Sequence, residues 1–405
     1  MSADGRSADA DARAALESAS FVRLVARADG DALAASGLVA QALADRGTPF
    51  QLTVGRTIAD RTARAEVAAG DERDLTLVIG AADIDAKADA TATVTRLDAD
   101  DRPATLAAVD HVRDLGATPD LVLALAGLAA AGLEPGAGES EWVLETAQER
   151  GLVDRRPGLA VPTADPVDGV AHSTRLRGPW SGDADAARDA LADAVDLDAS
   201  LENDDHRTIA SLVALEAVSA DAAAEVAAES IQRALRPYAT PGADAPFETI
   251  GGYADVLEAT ARTEPGTGAA LAMGHDVHES ALSAWREYGR RAHRALEGAS
   301  TGRYDGLFVV GIDDGPVDGV AQIAAAYRSP EPTVLVVGDG EAALATRDDE
   351  SLGPAVEGVA RELACETAYD VGRRRGYLRY DADADEDANA DIDESTIIAP
   401  VRELL

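Results

Sequence analysis

The stretch from Phe21 to Val39 constrains the fold of this chain most, because it joins a predicted strand to a predicted helix through acidic residues. It begins with the apolar alternation of a β-strand and ends in an apolar pattern with helical spacing. Asp29, Gly30 and Asp31 lie between the two patterns. Such a junction places both carboxylates at the carboxyl end of a sheet, where ligands bind in open α/β folds.

Asp29 and Asp31 are open to more than one interpretation. Carboxylates held close together repel each other unless a cation or proton lies between them, and Mg²⁺ and Mn²⁺ prefer such oxygen ligands. Alternatively, the segment is a turn in which Asp31 caps the following helix. Arg27 adds a third state, in which its guanidinium neutralises the acids and no metal binds. We favour this third state, because clustered acid must be neutralised in either case.

Strand-like and helix-like patterns alternate over the first part of the chain. Short apolar, β-branched segments predict strands at residues 50–54, 75–80 and 91–97. Helical spacing of apolar residues predicts helices at 105–115 and 121–131. This alternation predicts an α/β fold with a mostly parallel sheet that is covered on both faces.

Acidic residues follow each good strand of this region. They are Asp29 and Asp31, then Asp83 and Asp85, then Asp98, Asp100 and Asp101. Acid at the carboxyl ends of three strands is the feature of the sequence that most resembles a site. In a chain this rich in aspartate, acid after a strand is also common by chance.

The composition indicates the solvent in which this chain works. Its 405 residues carry 74 acidic and 36 basic side chains, for a net charge of −38, and Lys87 is the only lysine. An acidic, lysine-poor surface suits a cytoplasm at molar salt, where a Debye length of about 3 Å screens self-repulsion. We therefore infer a halophilic source, so an acidic pI does not exclude a nucleic-acid partner.

Several protein classes are excluded by what the sequence lacks. The single cysteine, Cys365, makes an intramolecular disulfide impossible and argues against a cysteine zinc site. The N-terminus lacks the apolar core of a signal peptide, and no run of about 18 apolar residues predicts a transmembrane span. We expect a soluble, cytoplasmic protein with no membrane partner.

The chain divides into three predicted regions. Residues 1–165 form the α/β domain, residues 166–240 form an alanine-rich helical linker or insert, and residues 241–405 return to mixed helices and strands. In the last region, the acidic low-complexity segment 381–395 predicts a loop. The closing residues, 395–404, are compatible with an edge strand.

The motifs in these regions resemble those of the DHH phosphoesterase superfamily. Its first motif runs from a strand through H-x-D-x-D or H-x-N-P-D-G-D-A into a helix, and this chain reads R-A-D-G-D-A-L-A-A-S. LVIGAADID is similar to the second motif, and VTRLDADDRP stands where the signature Asp-His-His is expected. AHSTRLRGPWSGD, GGYADVLEATARTEPG and AAYRSPEPTVLVVGDG follow in the order of the archaeal RecJ-like branch. The resemblance extends over nearly the whole chain.

This resemblance implies a fold, cofactors and partners. The fold would be a mostly parallel α/β DHH-type domain that a helical linker joins to a smaller α/β DHH-associated domain. Members of the RecJ-like branch are single-strand exonucleases and relatives that associate with the GINS replication complex. Superfamily enzymes bind two Mn²⁺ or Mg²⁺ ions through aspartates and histidines, and such a pair activates water against a phosphodiester.

The metal ligands implied by position are all carboxylates. They are Asp29, Asp31, Asp83 and Asp98, and Asp85 matches the second motif as well as Asp83 does. The superfamily histidines are missing: Arg27 replaces the first, and Ala99 and Asp100 replace the two after Asp98. Three or four carboxylates suit weak binding of one hard ion, but not an efficient two-metal hydrolase.

The resemblance also implies residues that contact nucleic acid. Gly251, Gly252 and Arg262 would line a cleft between the domains. His172, in a Gly- and Pro-containing loop with nearby arginines, suits either a phosphate contact or an ordinary loop histidine.

Arginine clusters stand out in this acidic chain. They are the segment 290–294 and the run Arg373, Arg374 and Arg375, which replaces a glycine- and histidine-rich loop of the superfamily. With Tyr377 and Tyr380 interleaved, the second cluster suits stacking of bases and contact with a single-stranded backbone. Pairing with nearby acidic runs is the alternative.

The leading hypothesis is a RecJ-like DHH-superfamily protein of DNA replication or repair whose nuclease site is degenerate. It would bind single-stranded DNA (or RNA) or act as a replisome scaffold with GINS, like the superfamily's non-catalytic replicative-helicase cofactor. The alternative is an active Mn²⁺- or Mg²⁺-dependent single-strand-specific exonuclease that uses Asp29, Asp31, Asp83 and Asp98. A phosphoesterase of nucleotides or short oligonucleotides is a third class, with the same missing ligands.

Overall fold

A computed structural model gives the architecture of the protein. It describes residues 14–66, 73–84, 93–97, 102–220, 222–242, 245–348, 351–363, 365–380 and 394–404. The chain splits into two compact units: Met1–Asp154 with Thr240–Ala284, and Arg155–Ala239 with Trp285–Leu405. The predicted domain boundaries at residues 165 and 240 differ from these limits and stay a prediction.

The described residues contain both helices and strands. In order, they are β1 (Phe21–Arg27), α1 (Gly30–Arg46), β2 (Phe50–Gly55), α2 (Ile58–Ala65), β3 (Asp74–Ile79), β4 (Thr93–Arg96), α3 (Ala104–Asp114), α4 (Leu121–Ala130), α5 (Glu141–Glu149), β5 (Asp154–Arg155), α6 (Pro166–His172), α7 (Ala184–Ala192), α8 (Asn203–Ser219), α9 (Val226–Ala234), β6 (Tyr238–Ala239), α10 (Ile250–Thr263), α11 (Pro265–Ala272), α12 (His278–Gly298), β7 (Ser300–Tyr304), β8 (Leu307–Gly311), α13 (Val317–Tyr327), β9 (Thr333–Val337), β10 (Glu341–Thr346), α14 (Gly353–Glu362), β11 (Thr367–Val371), β12 (Arg375–Tyr380) and α15 (Glu394–Leu404). None of the helices within the described residues is long and apolar enough to cross a membrane.

The first unit is built on a parallel sheet with the strand order β2-β1-β3-β4. Val22, Leu24, Val25 and Ala26 of β1 are completely buried. Strands that are buried on both faces carry such near-continuous apolar runs, because helices cover both sides of a parallel sheet. The α/β fold class with a mostly parallel sheet is therefore confirmed.

Helix α1 packs against α3, α4, α10 and α11, and small residues allow these helices to approach closely. A Cβ atom on Gly37 of α1 would lie 2.4 Å from the carbonyl oxygen of Ala272 in α11. The Gln41 side-chain amide donates a hydrogen bond of 2.9 Å to the same oxygen. A Cβ atom on Gly127 of α4 would lie 2.3 Å from the hydroxyl oxygen of Thr105 in α3. Glycine thus sets the spacing of the helices around α1.

The second unit contains a six-stranded sheet in the order β11-β12-β10-β9-β8-β7. Strands β8 and β9 are parallel, and the other neighbours are antiparallel. Helix α13 connects β8 to β9 and packs against β9 and β10. Val334 and Val336 belong to the core on the α13 side, and Leu335 and Val337 belong to the core on the opposite face.

The C-terminal segment is the helix α15, so its interpretation as an edge strand is wrong. Ile397 and Val401 are buried in the core of the second unit together with Leu335. Residues four positions apart lie on one face of a helix but would also share one face of a strand, which is why the sequence pattern was ambiguous.

We expect Gly37→Ala to lower the free energy of unfolding by about 1–3 kcal/mol, because the new methyl group overpacks against the α11 backbone. Chemical denaturation in molar KCl measures this change. Gly266→Ala in α11 is the matched control, because nothing lies within 4 Å of a Cβ atom there. The control should be neutral or stabilising by up to about 1 kcal/mol. Equal effects of the two substitutions would contradict the close approach of α1 and α11.

Candidate functional site

The candidate site lies where β1 ends and α1 begins. Asp29 is the N-cap of α1, with an extended backbone (φ −144°, ψ 168°), and its Oδ1 accepts a hydrogen bond of 2.8 Å from the Ala32 backbone N–H. Asp31 follows in the first turn of the helix. Both aspartates are buried, with 9% of Asp29 and 6% of Asp31 exposed. The cap of α1 is therefore Asp29, and the prediction that Asp31 caps it is wrong.

Asp31 instead caps α3, which lies 73 residues further along the chain. Its Oδ2 accepts a hydrogen bond from the Ala104 N–H and its Oδ1 accepts one from the Thr105 N–H, both at 2.9 Å. The N-cap residue of α3 is Pro103, which makes no side-chain cap hydrogen bond. Because the first N–H groups of a helix have no intrahelical partner, Asp31 supplies the acceptors that Pro103 lacks.

Glu258 of α10 accepts a hydrogen bond from the first turn of α1. Its Oε2 accepts a hydrogen bond of 2.9 Å from the Gly30 N–H, and its Oε1 lies 3.0 Å from Nη2 of Arg262. The side chains of Glu258 and Arg262 are nearly buried, at 4% and 10% exposure. A Cβ atom on Gly30 would lie 2.7 Å from the Ala130 Cβ, so this position requires glycine. Sequence reasoning missed Glu258, because it lies 228 residues from its partner Gly30 and no local pattern connects them.

Arg27, the last residue of β1, forms an ion pair with Asp29 through Nε and Oδ2. Both side chains are largely buried, with exposures of 18% and 13%. Hydrogen bonds to ionised groups are about twice as strong as neutral ones, and the guanidinium also compensates the carboxylate charge. All four oxygens of Asp29 and Asp31 thus have a donor from the protein itself.

These contacts do not fit a two-metal centre. Such a centre needs carboxylate oxygens directed at ions about 3.5–4 Å apart, whereas Asp29 and Asp31 direct theirs at N–H groups. Asp83 follows β3 and is exposed, and its backbone N–H donates to the Thr62 hydroxyl at 2.9 Å. Among the residues that the structure describes, no three His, Cys, Asp or Glu side chains gather as a metal site.

Two predicted acids cannot be placed at this site. Asp98, the implied third-motif ligand, and Asp85, the alternative to Asp83, lie outside the described residues. The four-carboxylate ligand set therefore stays a prediction.

The pKa of the Asp31 carboxyl is raised to about 6, mainly by burial and further by the nearby Asp29 carboxylate. Hydrogen bonds from Thr105 and Ala104 favour the ionised form and lower the pKa, but they do not outweigh burial. The pKa of Asp31 therefore lies above that of an ordinary aspartate, mainly because the carboxyl is buried.

The predicted nucleic-acid residues of α10 have structural contacts in the first unit. Gly251 and Gly252 lie in its first turn, and the Gly252 N–H donates a hydrogen bond of 2.9 Å to the hydroxyl of the N-cap residue Thr249. Arg262, near the end of the helix, is paired with Glu258. These contacts build α10 and its link to α1, and contact of these residues with nucleic acid stays a prediction.

His172 lies at the end of α6 in the second unit. Its Nδ1 is 3.0 Å from the backbone oxygen of Asp168 and 3.0 Å from the Asp168 Oδ1. Its ring meets that of the buried Trp285 in an edge arrangement, with centroids 5.8 Å apart. Arg286 donates to both oxygens of the same Asp168 carboxylate. His172 is therefore packed and hydrogen-bonded within the protein, and a phosphate contact stays a prediction.

The C-terminal arginines lie at the turn between β11 and β12. Arg373 and Arg374 are exposed, and Arg375 is half-buried. The neighbouring tyrosines, Tyr377 and Tyr380, are 3% and 5% exposed and belong to the core on opposite faces of the sheet. The prediction that these tyrosines stack bases is therefore wrong, because both rings are buried in the core, one on each face of β12.

Comparison with known proteins identifies a relative over most of the chain. A protein of Haloarcula marismortui, described as Uncharacterized protein rrnAC1427, is 45% identical over 370 residues, which cover 90% of this chain and 92% of the relative. The chain belongs to the rrnAC1427 family. A family model described as Uncharacterized protein rrnAC1427, C-terminal domain, matches residues 299–403. That range contains the six-stranded sheet of the second unit and all of α15 except its last residue.

Solved structures resemble this member of the rrnAC1427 family along nearly its whole length. CDC45 from Entamoeba histolytica is 8% identical, has a TM-score of 0.59, and is matched over 98% of both chains. The exonuclease RecJ bound to manganese is 15% identical, has a TM-score of 0.45, and is matched over 98% of this chain and 93% of its own. The likeness to CDC45 shows the fold alone. At that level the expected fold of this rrnAC1427-family chain is confirmed, because it shares the fold of CDC45 along nearly its whole length.

The raised pKa of Asp31 predicts a pH dependence of stability. The folded state binds the proton more tightly than the unfolded state, so this contribution is complete below about pH 4 and is lost as the pH rises through about 6. Between pH 5 and pH 7 the wild type should lose about 1 kcal/mol of unfolding free energy relative to Asp31→Asn, which cannot titrate. Denaturant titrations of both proteins measure the difference, and parallel pH profiles would contradict the shift.

Proposed function

We propose that this protein is a non-catalytic member of the RecJ-like DHH superfamily that works in DNA replication or repair. It binds single-stranded DNA or serves as a scaffold for replication proteins, with GINS as the proposed partner. The acidic composition and the relative in Haloarcula marismortui support a halophilic source.

One observation carries the loss of catalysis in this proposal: the carboxylates at the end of β1 are paired within the protein. Arg27 neutralises Asp29, and both carboxylate oxygens of Asp31 accept hydrogen bonds from the start of α3. A hard divalent ion would have to displace a guanidinium and helix N–H groups that are fixed in place. The missing histidines at Arg27, Ala99 and Asp100 support the same conclusion.

The binding role is supported by fold and by exposed charge. The fold is shared with CDC45, and the turn between β11 and β12 presents Arg373 and Arg374 to solvent on an otherwise acidic chain. Guanidinium groups form bidentate hydrogen bonds with phosphate. Co-purification of GINS with the protein from native extract in molar KCl tests the scaffold role.

The first test is degradation of end-labelled single-stranded DNA with Mn²⁺ in molar KCl. We expect none at any Mn²⁺ concentration from a sample shown by circular dichroism to be folded. The Asp29→Ala/Asp31→Ala double variant is the control for a contaminating nuclease, because any cleavage that it retains does not come from these residues. Cleavage by the wild type that the double variant loses would overturn the proposal and restore the metal-dependent exonuclease.

A second test asks whether Arg27 takes the place of a cation. Arg27→Ala leaves the buried Asp29 carboxylate uncompensated, so we expect it to destabilise the protein by about 3 kcal/mol. Mn²⁺ should raise the thermal midpoint of this variant more than that of the wild type, because a ligand stabilises only the state it binds. Arg27→Lys, which keeps a charge, is the matched control and should respond like the wild type. An equal or larger Mn²⁺ response of the wild type would count against neutralisation by Arg27.

A further inference from the structure

Helix α12 carries a row of arginines on one face. Arg286, Arg290 and Arg294 are spaced by four residues, and Arg291 lies beside them. With 1.5 Å of rise per residue, side chains four apart follow one another at about 6 Å along the same face. The row, which we define as these four arginines, therefore extends for about 12 Å.

The opposite face of α12 is fixed in the core of the second unit, which turns the row outward. Trp285, Ala292, His293 and Leu296 are completely buried. The His293 Nε2 hydrogen-bonds the carbonyl oxygen of Ser173 at 3.0 Å. Burial and a nearby arginine lower the pKa of His293 to about 3, so it stays neutral and adds no charge to the row. The arginines are thus presented from a rigid support.

Glycine makes this support possible at one position. A Cβ atom on Gly289 would lie 1.8 Å from the carbonyl oxygen of His172, so the backbone of α12 contacts the end of α6 directly. The contact holds the helix in one rotation about its axis.

Two members of the row have partners that are easily exchanged. Arg290 pairs with Glu287, and Arg291 pairs with Asp314 at 2.8 Å. These carboxylates are 54% and 83% exposed. Ion pairs between solvent-exposed groups contribute about 0–1 kcal/mol, so a phosphate can replace either carboxylate at little cost.

The N-terminal arginine of the row is held more firmly. Arg286 donates to both oxygens of Asp168, whose side chain is 14% exposed. Burial raises the pKa of Asp168, but hydrogen bonds from His172 and Arg286 outweigh burial and lower the pKa to about 2. Arg286 therefore stays in a fixed position while its neighbours can change partner.

Arg294 completes the row at its C-terminal end. It is exposed, and within the described part of the chain it forms no ion pair. The nearest acidic residue further along the helix, Glu297, pairs with Arg177. An exposed guanidinium beside two exchangeable pairs is suited to an anion that extends along the helix.

We propose that the arginine row of α12 contacts the phosphate backbone of single-stranded nucleic acid. The proposal rests on the nucleic-acid-binding role given above and adds a second surface to the β11–β12 turn. A row of about 12 Å with members about 6 Å apart offers three positions at which phosphates of one strand can bind. The aromatic rings of this part of α12, Trp285, Tyr288 and His293, are buried, so the row contacts phosphates and not bases.

Fluorescence anisotropy with a labelled 20-nucleotide oligothymidylate tests the row, in EDTA so that degradation cannot interfere. Arg290→Ala/Arg294→Ala should bind about tenfold more weakly at the lowest KCl concentration that keeps the protein folded. The slope of log K against log[KCl] should become shallower by about 1.4, at about 0.7 per lost phosphate contact. A mixed-sequence oligonucleotide should bind the wild type equally well.

Matched variants separate the row from general charge effects. Arg233→Ala/Arg361→Ala removes two exposed arginines that form i, i+4 ion pairs outside the row, and it should bind like the wild type. Arg290→Lys/Arg294→Lys should keep the salt slope, because lysine also neutralises a phosphate. Thermal midpoints show that each variant is folded.

The outcomes distinguish this proposal from the function on which it rests. If the wild type binds and the row variant binds equally well, the row is overturned, while the nucleic-acid-binding role stands. Loss of binding in Arg373→Ala/Arg374→Ala alone would then assign binding to the β11–β12 turn. If the wild type does not bind the oligonucleotide at any salt concentration, both the row and the nucleic-acid-binding role are overturned.

Discussion

The hydrogen bonds that the Asp31 carboxylate accepts from the start of α3 are the contacts on which the first unit depends. Asp31 belongs to α1, which packs against α3, α4, α10 and α11. Glu258 makes the equivalent contact from α10 to the start of α1. Two acidic side chains thus fix the starts of two helices in the core. An N-cap contributes about 1 kcal/mol, and leaving a buried charge without its partner costs several times more.

The same contacts explain how clustered acid is tolerated without an ion. At the carboxyl end of a parallel sheet, carboxylates need positive charge or donors. Here Arg27 supplies the charge for Asp29, and helix N-termini, which carry partial positive charge, supply the donors for Asp31. The positive groups are all covalent parts of the chain. The two carboxylates are thus compensated by groups of the protein itself.

Local patterns in the sequence predict the strands well and the site only in part. Strands β2 and β3 were predicted because their apolar, β-branched runs leave few alternatives. The pairing of Arg27 with Asp29 was also anticipated, since the two residues are neighbours in sequence. The capping of α3 by Asp31 and the hydrogen bond between Gly30 and Glu258 could not be predicted, because each contact joins residues that are distant in sequence. A proline at the N-cap of α3 was the one local signal that an acceptor must come from elsewhere.

Burial explains the remaining differences between the predictions from sequence and the structure. Tyr377 and Tyr380 alternate with arginines and so resemble an exposed stacking surface, but β12 is covered on both faces and takes both rings into the core. The segment around Ile397 was ambiguous between strand and helix, because residues four apart share a face in both. Charge alone also failed to separate exposed basic surfaces from ion pairs, since described arginines such as Arg102 and Arg303 pair with a carboxylate.

The cap that Asp31 provides also couples the local unfolding of two segments that are distant in sequence. The first turn of an ordinary helix frays freely, because its capping group is local and moves with it. Here, opening of the first turn of α3 would remove the N–H donors from the buried Asp31 carboxylate of α1. Fraying of α3 would therefore leave a buried charge in α1 without its hydrogen bonds. Segments coupled in this way open and close together as one cooperative unit. We therefore expect the residues after Pro103 to share the hydrogen-exchange protection of α1, although they begin a different helix.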